Sequence, residues 1–274
     1  MEKLTLPEIH EATLEIMDYI HQLCEENHIV YYVAYGSLIG AVRHNGFIPW
    51  DDDFDILMPR AEYERFRQVF QAKNHPYFRI CERRTTPNYF YGIPRFSDSR
   101  YSYHTTQQGI KPFDNGLFID IYPLDNFCNT YEEAKRLKRK VVRKYMMYEV
   151  WLNKDYGQGK LMTFVRGVCH RILRIRYGGN YTDRIDDEIM GIIRKYTSDS
   201  DSQIGEACWD PQVVPYRREW FAERVLHDFE GRQYWIPKDY DPVLRADYGD
   251  YMVLPPEEKR VPNHSYSITR NESH

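Results

Sequence analysis

The sequence predicts an α/β (α+β) fold, a mixed β-sheet with flanking helices and a more helical second half. Three observations predict it. Apolar residues recur at helical spacing near the start of the chain. β-branched and aromatic runs then alternate with short helical patterns as far as residue 128. From residue 129 helical patterns dominate. The expected organisation is a sheet-bearing core over 1–128 and a helical region over 129–274, whose C-terminal hairpin and tail pack on that core.

Ile9, Ile16, Met17, Ile20 and Leu23 line one face of a helix over 7–26, and Pro7 suits its first turn, where a missing N–H costs nothing. The β-branched and aromatic run 29–35 predicts a strand. Gly36-Ser37 follows it, and a short helix over 38–43 is broken at Asn45-Gly46. A second strand over 53–58 ends at Pro59, and a helix over 60–71 presents Phe66, Val69 and Phe70. Strands are expected over 77–82, 89–96 and 117–122, the last stopped by Pro123. Thr130-Tyr131-Glu132-Glu133 has capping-box form and opens a basic helix to about Trp151. Helices over 160–176 and 182–196 follow. A hairpin over 227–235 turns at Glu230-Gly231, and a helix over 241–248 is ended by Gly249.

The formal net charge of −4 gives no global basic signature, so nucleic acid is not expected as a partner. With 24 tyrosines and 13 phenylalanines the chain is suited to a packed core rather than disorder. Cys24, Cys81, Cys128, Cys169 and Cys208 are scattered, odd in number and free of CxxC spacing, which fits thiols in a reducing compartment. The opening Met1-Glu2-Lys3-Leu4 runs directly into a helical pattern, so no signal peptide is expected. No apolar run approaches the roughly 20 residues of a membrane span. A cytoplasmic location is expected, with peripheral contact at the membrane face as an addition. For that contact the helix over 160–176 offers Leu161, Phe164, Val165, Val168 and Ile172 on one stripe and Arg166, Arg171 and Arg174 opposite. The preceding helix adds Lys135, Arg136, Lys138, Arg139, Lys140, Arg143 and Lys144. Core packing of the stripe is the expected arrangement, and docking on anionic lipid is the alternative.

The chemistry concentrates in the acids. Side chains alternate along a strand, so Asp53 and Asp55 face the same way, as does Asp51 if the strand begins early. Asp120 sits between Ile119 and Ile121, and an acid in an apolar strand is costly unless paired or metal-bound. Two neighbouring strands would bring Asp120 beside Asp53 and Asp55. Like charges there are relieved by a cation, and hard oxygen ligands favour Mg²⁺, Mn²⁺ or Ca²⁺. Gly36-Ser37, between a strand and a helix, aims backbone N–H groups at an anion. A phosphate site beside a metal site suits phosphoryl-type transfer. Taken singly, the acid run is usually a solvated loop and Gly-Ser an ordinary turn; their combination with the apolar-flanked Asp55 and Asp120 points to a site.

The stretch 35–56, with Gly36-Ser37, Asn45-Gly46-Phe47-Ile48-Pro49-Trp50 and Asp51-Asp52-Asp53-Phe54-Asp55-Ile56, resembles the signature of the LicD family. That family belongs to the nucleotidyltransferase-fold superfamily and is similar to the fukutin-related proteins. Phe118-Ile119-Asp120-Ile121-Tyr122-Pro123-Leu124-Asp125, Tyr248-Gly249-Asp250-Tyr251-Met252 and Pro255-Pro256-Glu257-Glu258-Lys259-Arg260 continue the resemblance, and 131–219 is similar only loosely. Asn263-His264 departs from it, where a His-His-like pair is expected. The resemblance implies a nucleotidyltransferase-like mixed sheet and a cleft holding Mg²⁺, with Mn²⁺ as a substitute. It implies transfer of phosphocholine from CDP-choline to a hydroxyl of a glycan or lipid-linked glycan precursor, such as teichoic acid or lipooligosaccharide. Asp53, Asp55 and Asp120 match the metal-binding acids, and Gly36 and Ser37 the phosphate-contacting pair.

Around that frame Asp51 is a candidate base or second-metal ligand. Arg43 and Arg95 are candidates for the diphosphate, against ordinary surface ion pairing. Lys259, Arg260 and His264 are further candidates. Choline would need an aromatic cage, whose members the sequence does not select. The alternatives are a true nucleotidyltransferase that transfers NMP with pyrophosphate release, and a non-catalytic metal- or sugar-binding module.

Overall fold

The computed structural model describes residues 3–105, 113, 115–152, 159–208, 212–261 and 266–271. The first half contains α1 (Leu6–Glu26), β1 (Tyr32–Val33), α2 (Tyr35–His44), β2 (Asp55–Pro59), α3 (Arg60–Lys73), β3 (Phe78–Cys81), β4 (Arg95–Asp98), β5 (Tyr101–Thr105) and β6 (Leu117–Asn126). Next come α4 (Tyr131–Leu152), α5 (Lys160–Tyr177), α6 (Tyr181–Tyr196), β7 (Gln203–Glu206), β8 (Tyr216–Arg217), β9 (Arg224–Phe229), β10 (Arg232–Pro237), α7 (Tyr240–Tyr248) and β11 (Tyr266–Arg270). The fold is the α+β type expected.

The main sheet runs β1-β2-β6-β4-β3, with β7 joining β6 beyond the end of β4 and β8 joining β7. Among the described residues only β2 and β6 pair in parallel; the other neighbours are antiparallel. Two-stranded ladders join β9 to β10 and β5 to β11. The β9–β10 turn uses Glu230 and Gly231 at φ 49° and 74°, the two successive positive angles that suit a two-residue hairpin.

Helix and hairpin positions follow the sequence patterns, whereas several strand boundaries do not. β1 keeps only two residues of the expected 29–35, because the helix starts at Tyr35 and takes Gly36-Ser37 into its first turn. β4 begins at Arg95, not at residue 89. Pro94 precedes it, and the Tyr89 carbonyl is satisfied from the side by the Tyr148 hydroxyl at 2.8 Å rather than by a strand. β6 runs through Pro123. Asp120 N–H donates to Phe54 and Ile121 N–H to Pro94, so alternate amides serve opposite neighbours. The amide missing at residue 123 belongs to the side where β4 has ended and β7 has not begun. β5 and β11 are not expected from the sequence, although Tyr101, Tyr103 and Thr105 alternate as strand residues do.

Buried side chains form two clusters. One joins α1, α2, α3 and the sheet to the β9–β10 hairpin, α7 and Ile268. The other joins α4 to α6 through Leu137, Val141, Tyr148, Tyr181, Ile185 and Ile189. Lys138 is 2 % exposed and donates to the Glu206 carboxylate and carbonyl, both at 2.6 Å, which ties α4 to β7. Lys144 pairs with Glu188 on α6 at 2.9 Å. Part of the basic face expected on α4 is therefore spent inside the protein.

The core packing expected for the stripe on the helix over 160–176 is not found. Leu161, Phe164, Val165, Val168, Ile172 and Ile175 are all exposed, Leu161 and Ile175 by 78 % and 81 %. Only Leu173 of α5 is buried. Among the described residues no helix is long and apolar enough to cross a membrane, and no disulfide is formed.

Phe54 is fully buried against Phe47, Phe229 and Tyr234, joining the acidic segment to the hairpin. Phe54→Ala should lower stability by about 3–5 kcal/mol in denaturant unfolding, as for other buried phenylalanines. A loss below about 1 kcal/mol would show that this ring does not carry the junction.

Candidate active site

The parallel register places Asp55 of β2 directly beside Asp120 of β6. On the far side of Asp120 the antiparallel register places Arg95 of β4. Strand alternation puts Phe118, Asp120 and Tyr122 on this face and sends Leu117, Ile119 and Ile121 into the opposite, apolar one. Asp51, Asp52 and Asp53 precede the strand, which starts at Asp55. The same-face argument therefore does not extend to Asp51 or Asp53; they reach the site along an irregular approach. Asp52 is buried, and Asp51 and Asp53 are half-buried.

This approach is held by its backbone. The Asp51 carbonyl meets His10 Nε2 at 2.7 Å, and the Asp52 carbonyl accepts from the Tyr266 hydroxyl at 2.9 Å. Phe54 and Asp55 carbonyls accept from Asp120 and Ala34 N–H at 3.1 and 3.0 Å. Asp55 N–H donates to Ser37 Oγ at 3.0 Å. Ser37 is thus buried beneath Asp55, tying α2 to β2. Gly36 lies in the first turn of α2, whose amides have no intrahelical acceptor. A Cβ there would come within 2.7 Å of Asp51 Oδ2, so the absence of a side chain lets the Asp51 carboxylate lie against the helix start.

Arg95 is 5 % exposed and sits between aromatic faces, 3.6 Å from the Tyr91 ring centre and 3.7 Å from that of Phe118. Its Nε donates to Asp120 Oδ1 at 2.7 Å, while its Nη1 is buried with no hydrogen-bonding partner. Asp55 Oδ1 is likewise buried without a partner. The site therefore holds one orphan acceptor and one orphan donor, each of which costs about 1–3 kcal/mol when left unsatisfied. Arg43 lies elsewhere, in the last turn of α2, where it donates to the Tyr251 carbonyl at 2.5 Å. Arg260 is half-buried with its guanidinium 5.8 Å from the Trp50 ring centre, next to the acidic approach, and Lys259 is exposed. His264, with Asn263, lies outside the described residues.

Burial pushes the Asp55 carboxyl well above the usual carboxylate range, and the charges of Asp53, Asp120 and Asp51 push it the same way against the opposing pull of Arg95. This charge crowding, with only oxygen donors, fits a hard divalent cation. Among the described residues no three acidic, histidine or cysteine side chains enclose a metal by themselves. Magnesium does not require such an enclosure: it keeps several waters and is commonly held by one or two carboxylates and the substrate's phosphates.

His10, Tyr266 and Ser37 as backbone anchors, and the tyrosines beside Asp55, are what the sequence reading missed. His10 stacks on Phe47 at 3.9 Å, which positions it for Asp51, yet nothing in a lone helical histidine announces that.

The mixed sheet sets paired acids beside a helix start, and a family model described as LicD/FKTN/FKRP, nucleotidyltransferase domain, matches residues 28–164. The lipopolysaccharide cholinephosphotransferase LicD of Haemophilus influenzae is 32% identical over 274 residues, covering 96% of this chain and 97% of that protein. An uncharacterised protein of Rickettsia typhi is 35% identical over 78 residues, 26% of this chain and 25% of its own. One of Rickettsia prowazekii is 50% identical over 55 residues, 20% of this chain and 21% of its own. The chain belongs to the LicD family, which supports a transferase.

A carboxyl whose folded pKa lies above its unfolded one costs stability as pH rises from the unfolded value, about 4, through the raised folded value. Asp55→Asn removes that cost and keeps the backbone bond to Ser37. Without divalent cation at pH 7, its unfolding midpoint should rise by about 2–4 °C, equivalent to about 1 kcal/mol. A lowered midpoint would mean that the carboxylate stabilises the fold.

Proposed function

We propose that the chain transfers phosphocholine from CDP-choline to a sugar hydroxyl of a cell-surface glycan precursor, with Mg²⁺ as its cation and Mn²⁺ as a substitute. The observation that carries this reading is the pair of buried, unpartnered atoms of opposite character, Asp55 Oδ1 and Arg95 Nη1, on either side of Asp120. A cation on Asp55 and a phosphate oxygen on Arg95 would satisfy both. The cholinephosphotransferase name of the Haemophilus relative supports the transferred group, and lipopolysaccharide or teichoic acid precursors are the acceptor class.

One or two of Asp53, Asp55 and Asp120 would hold the cation together with the donor's phosphates, and the cation would supply charge neutralisation on the diphosphate. Arg95 offsets the charge of Asp120 and offers its remaining N–H to the phosphate. The first-turn amides of α2 at Gly36 would add donors for that phosphate. The attacking sugar oxygen forms a bond to the β-phosphorus, the bond from that phosphorus to the bridging oxygen breaks, and CMP leaves. Asp51, lying against Gly36, takes the hydroxyl proton. The rival, a nucleotidyltransferase releasing pyrophosphate, uses the same acids and differs in its products.

Asp53→Ala and Asp55→Ala should each lower Mg²⁺-dependent CMP release from CDP-choline by about 10³-fold or more, the scale for losing a transition-state charge contact. Chromatography of the nucleotides separates the readings. Pyrophosphate in place of CMP would favour the rival, and near wild-type turnover by either variant would reject the metal assignment.

The acceptor side has its own surface. At about 100° per residue, Leu161, Phe164, Val165, Val168, Ile172 and Ile175 fall on one arc of α5, opposite the half-buried Thr163, Arg166, Gly167 and His170. Lys160 and Arg171 flank the arc on one side and Arg176 on the other, and α5 contains no acid. An outward apolar stripe edged by cations, on a chain of net charge −4, is complementary to an anionic lipid surface rather than to a second copy. The reading is a cytoplasmic protein, peripheral at the inner membrane face, reaching a lipid-linked glycan. The protein should float with phosphatidylglycerol-containing vesicles and much less with neutral ones, and Phe164→Asp with Ile172→Asp should reduce flotation by about tenfold. Equal flotation on both vesicles, or a dimer dispersed by the substitutions, would reject lipid docking.

A further inference from the structure

A cavity of about 310 Å³ opens beside Asp55, within the size range of small-molecule sites, about 300–1,000 Å³. Four of its walls are tyrosines: Tyr35, Tyr122, Tyr216 and Tyr248. Tyr35 and Tyr122 form a corner, with ring centres 4.7 Å apart and planes at 70°. Tyr216 is buried, hydrogen-bonds with Tyr35, and donates to both oxygens of Asp247 at 2.7 and 3.0 Å. Tyr248 is 46 % exposed, so the cavity runs from the interior to solvent between Tyr216 and Tyr248.

The charged groups lining it are all acids: Asp55, Glu206 and Asp247. None of its described lining residues is Lys, Arg or His. Lys138 offsets Glu206 at 2.6 Å. Asp55 belongs to the phosphate and cation chemistry above, which leaves Asp247 as the lining anion without another assigned part. Burial is the main cause holding the Tyr35, Tyr122 and Tyr216 phenols well above their usual range. A phosphate in this space would meet Asp247 with no cation among the described lining residues. A neutral polyol would leave the aromatic faces and the negative field unused. A methylated cation uses both, since aromatic faces and nearby carboxylates attract a weakly hydrated positive charge.

We propose that this cavity is the subsite for the quaternary ammonium head of the donor, with Tyr35, Tyr122, Tyr216 and Tyr248 as its aromatic walls and Asp247 as its counter-charge. The proposal rests on the CDP-choline reading for the donor's identity, and it adds the residues that select the head group. The phosphate end of the same donor then lies past Asp55, toward Asp120 and Arg95, outside the cavity's described lining.

The test is calorimetric binding of CDP-choline, of CMP, and of the carbon isostere of CDP-choline in which a tert-butyl group replaces trimethylammonium, with Mg²⁺ and without acceptor. Wild type should bind CDP-choline about tenfold more tightly than the isostere, within the span of measured cation–π effects. Tyr248→Ala and Asp247→Asn should each reduce that preference to about threefold or less while leaving CMP affinity unchanged, which also reports a folded nucleotide site. Equal wild-type affinities for the two donors, or a preference kept in both variants, would overturn the assignment. A preference without CMP release in turnover assays would reject the transfer reading and keep the cavity. Turnover without a preference would do the reverse.

Discussion

Two carboxylates stand next to each other across a parallel strand pair, and the rest of the molecule is arranged around that repulsion. Like charges directly opposite on neighbouring strands are destabilising. Here Asp55 and Asp120 are both buried, with Asp53 and Asp51 close enough to raise Asp55 further. The arrangement survives because its costs are spread. Arg95 pairs with Asp120 from the next strand, and Ser37, Ala34, His10 and Tyr266 each fix one backbone group of the approach. Strain of this kind persists where the surroundings over-determine it, and it concentrates at functional sites.

The aromatic content serves two separable ends. Most rings fill the core: Phe54, Phe229 and Tyr234 join the acidic segment to the hairpin, and Tyr148 and Tyr181 knit α4 to α6. A smaller set faces polar groups. Tyr91 and Phe118 sandwich Arg95, which keeps a buried guanidinium in one orientation. Tyr35, Tyr122, Tyr216 and Tyr248 line the space beside Asp55. Both sets adjoin the same acid pair, Arg95 at Asp120 and the tyrosines at Asp55.

The helices and the hairpin were legible because their signals are local. Thr130 with Glu133, Glu230-Gly231 and Gly249 act within a few residues of themselves. Strand limits were less so. Pro123 stops a strand only where its missing amide would be needed, and here β4 and β7 leave that position uncovered. Arg43 and Arg95 carry the same charge in sequence, yet one lies in the last turn of α2 against Tyr251 and the other inside the site. The stripe on α5 was visible as a pattern, but its exposure was decided by α5 meeting α4 through its other face, with His170 at the Val150 carbonyl and Arg174 over Trp151.

By itself the sequence determined the α+β class, the spacing of Asp53 and Asp55, the acid within the Leu117–Asn126 strand and the family, because periodicity and motifs are properties of neighbouring residues. Tertiary structure alone decided that Asp55 meets Asp120, that Arg95 rather than Arg43 meets the acids, that Ser37 is a buried anchor, and which four of 24 tyrosines surround the space at Asp55. Those outcomes depend on strand order, register and packing between residues far apart in the chain, and no local pattern encodes them.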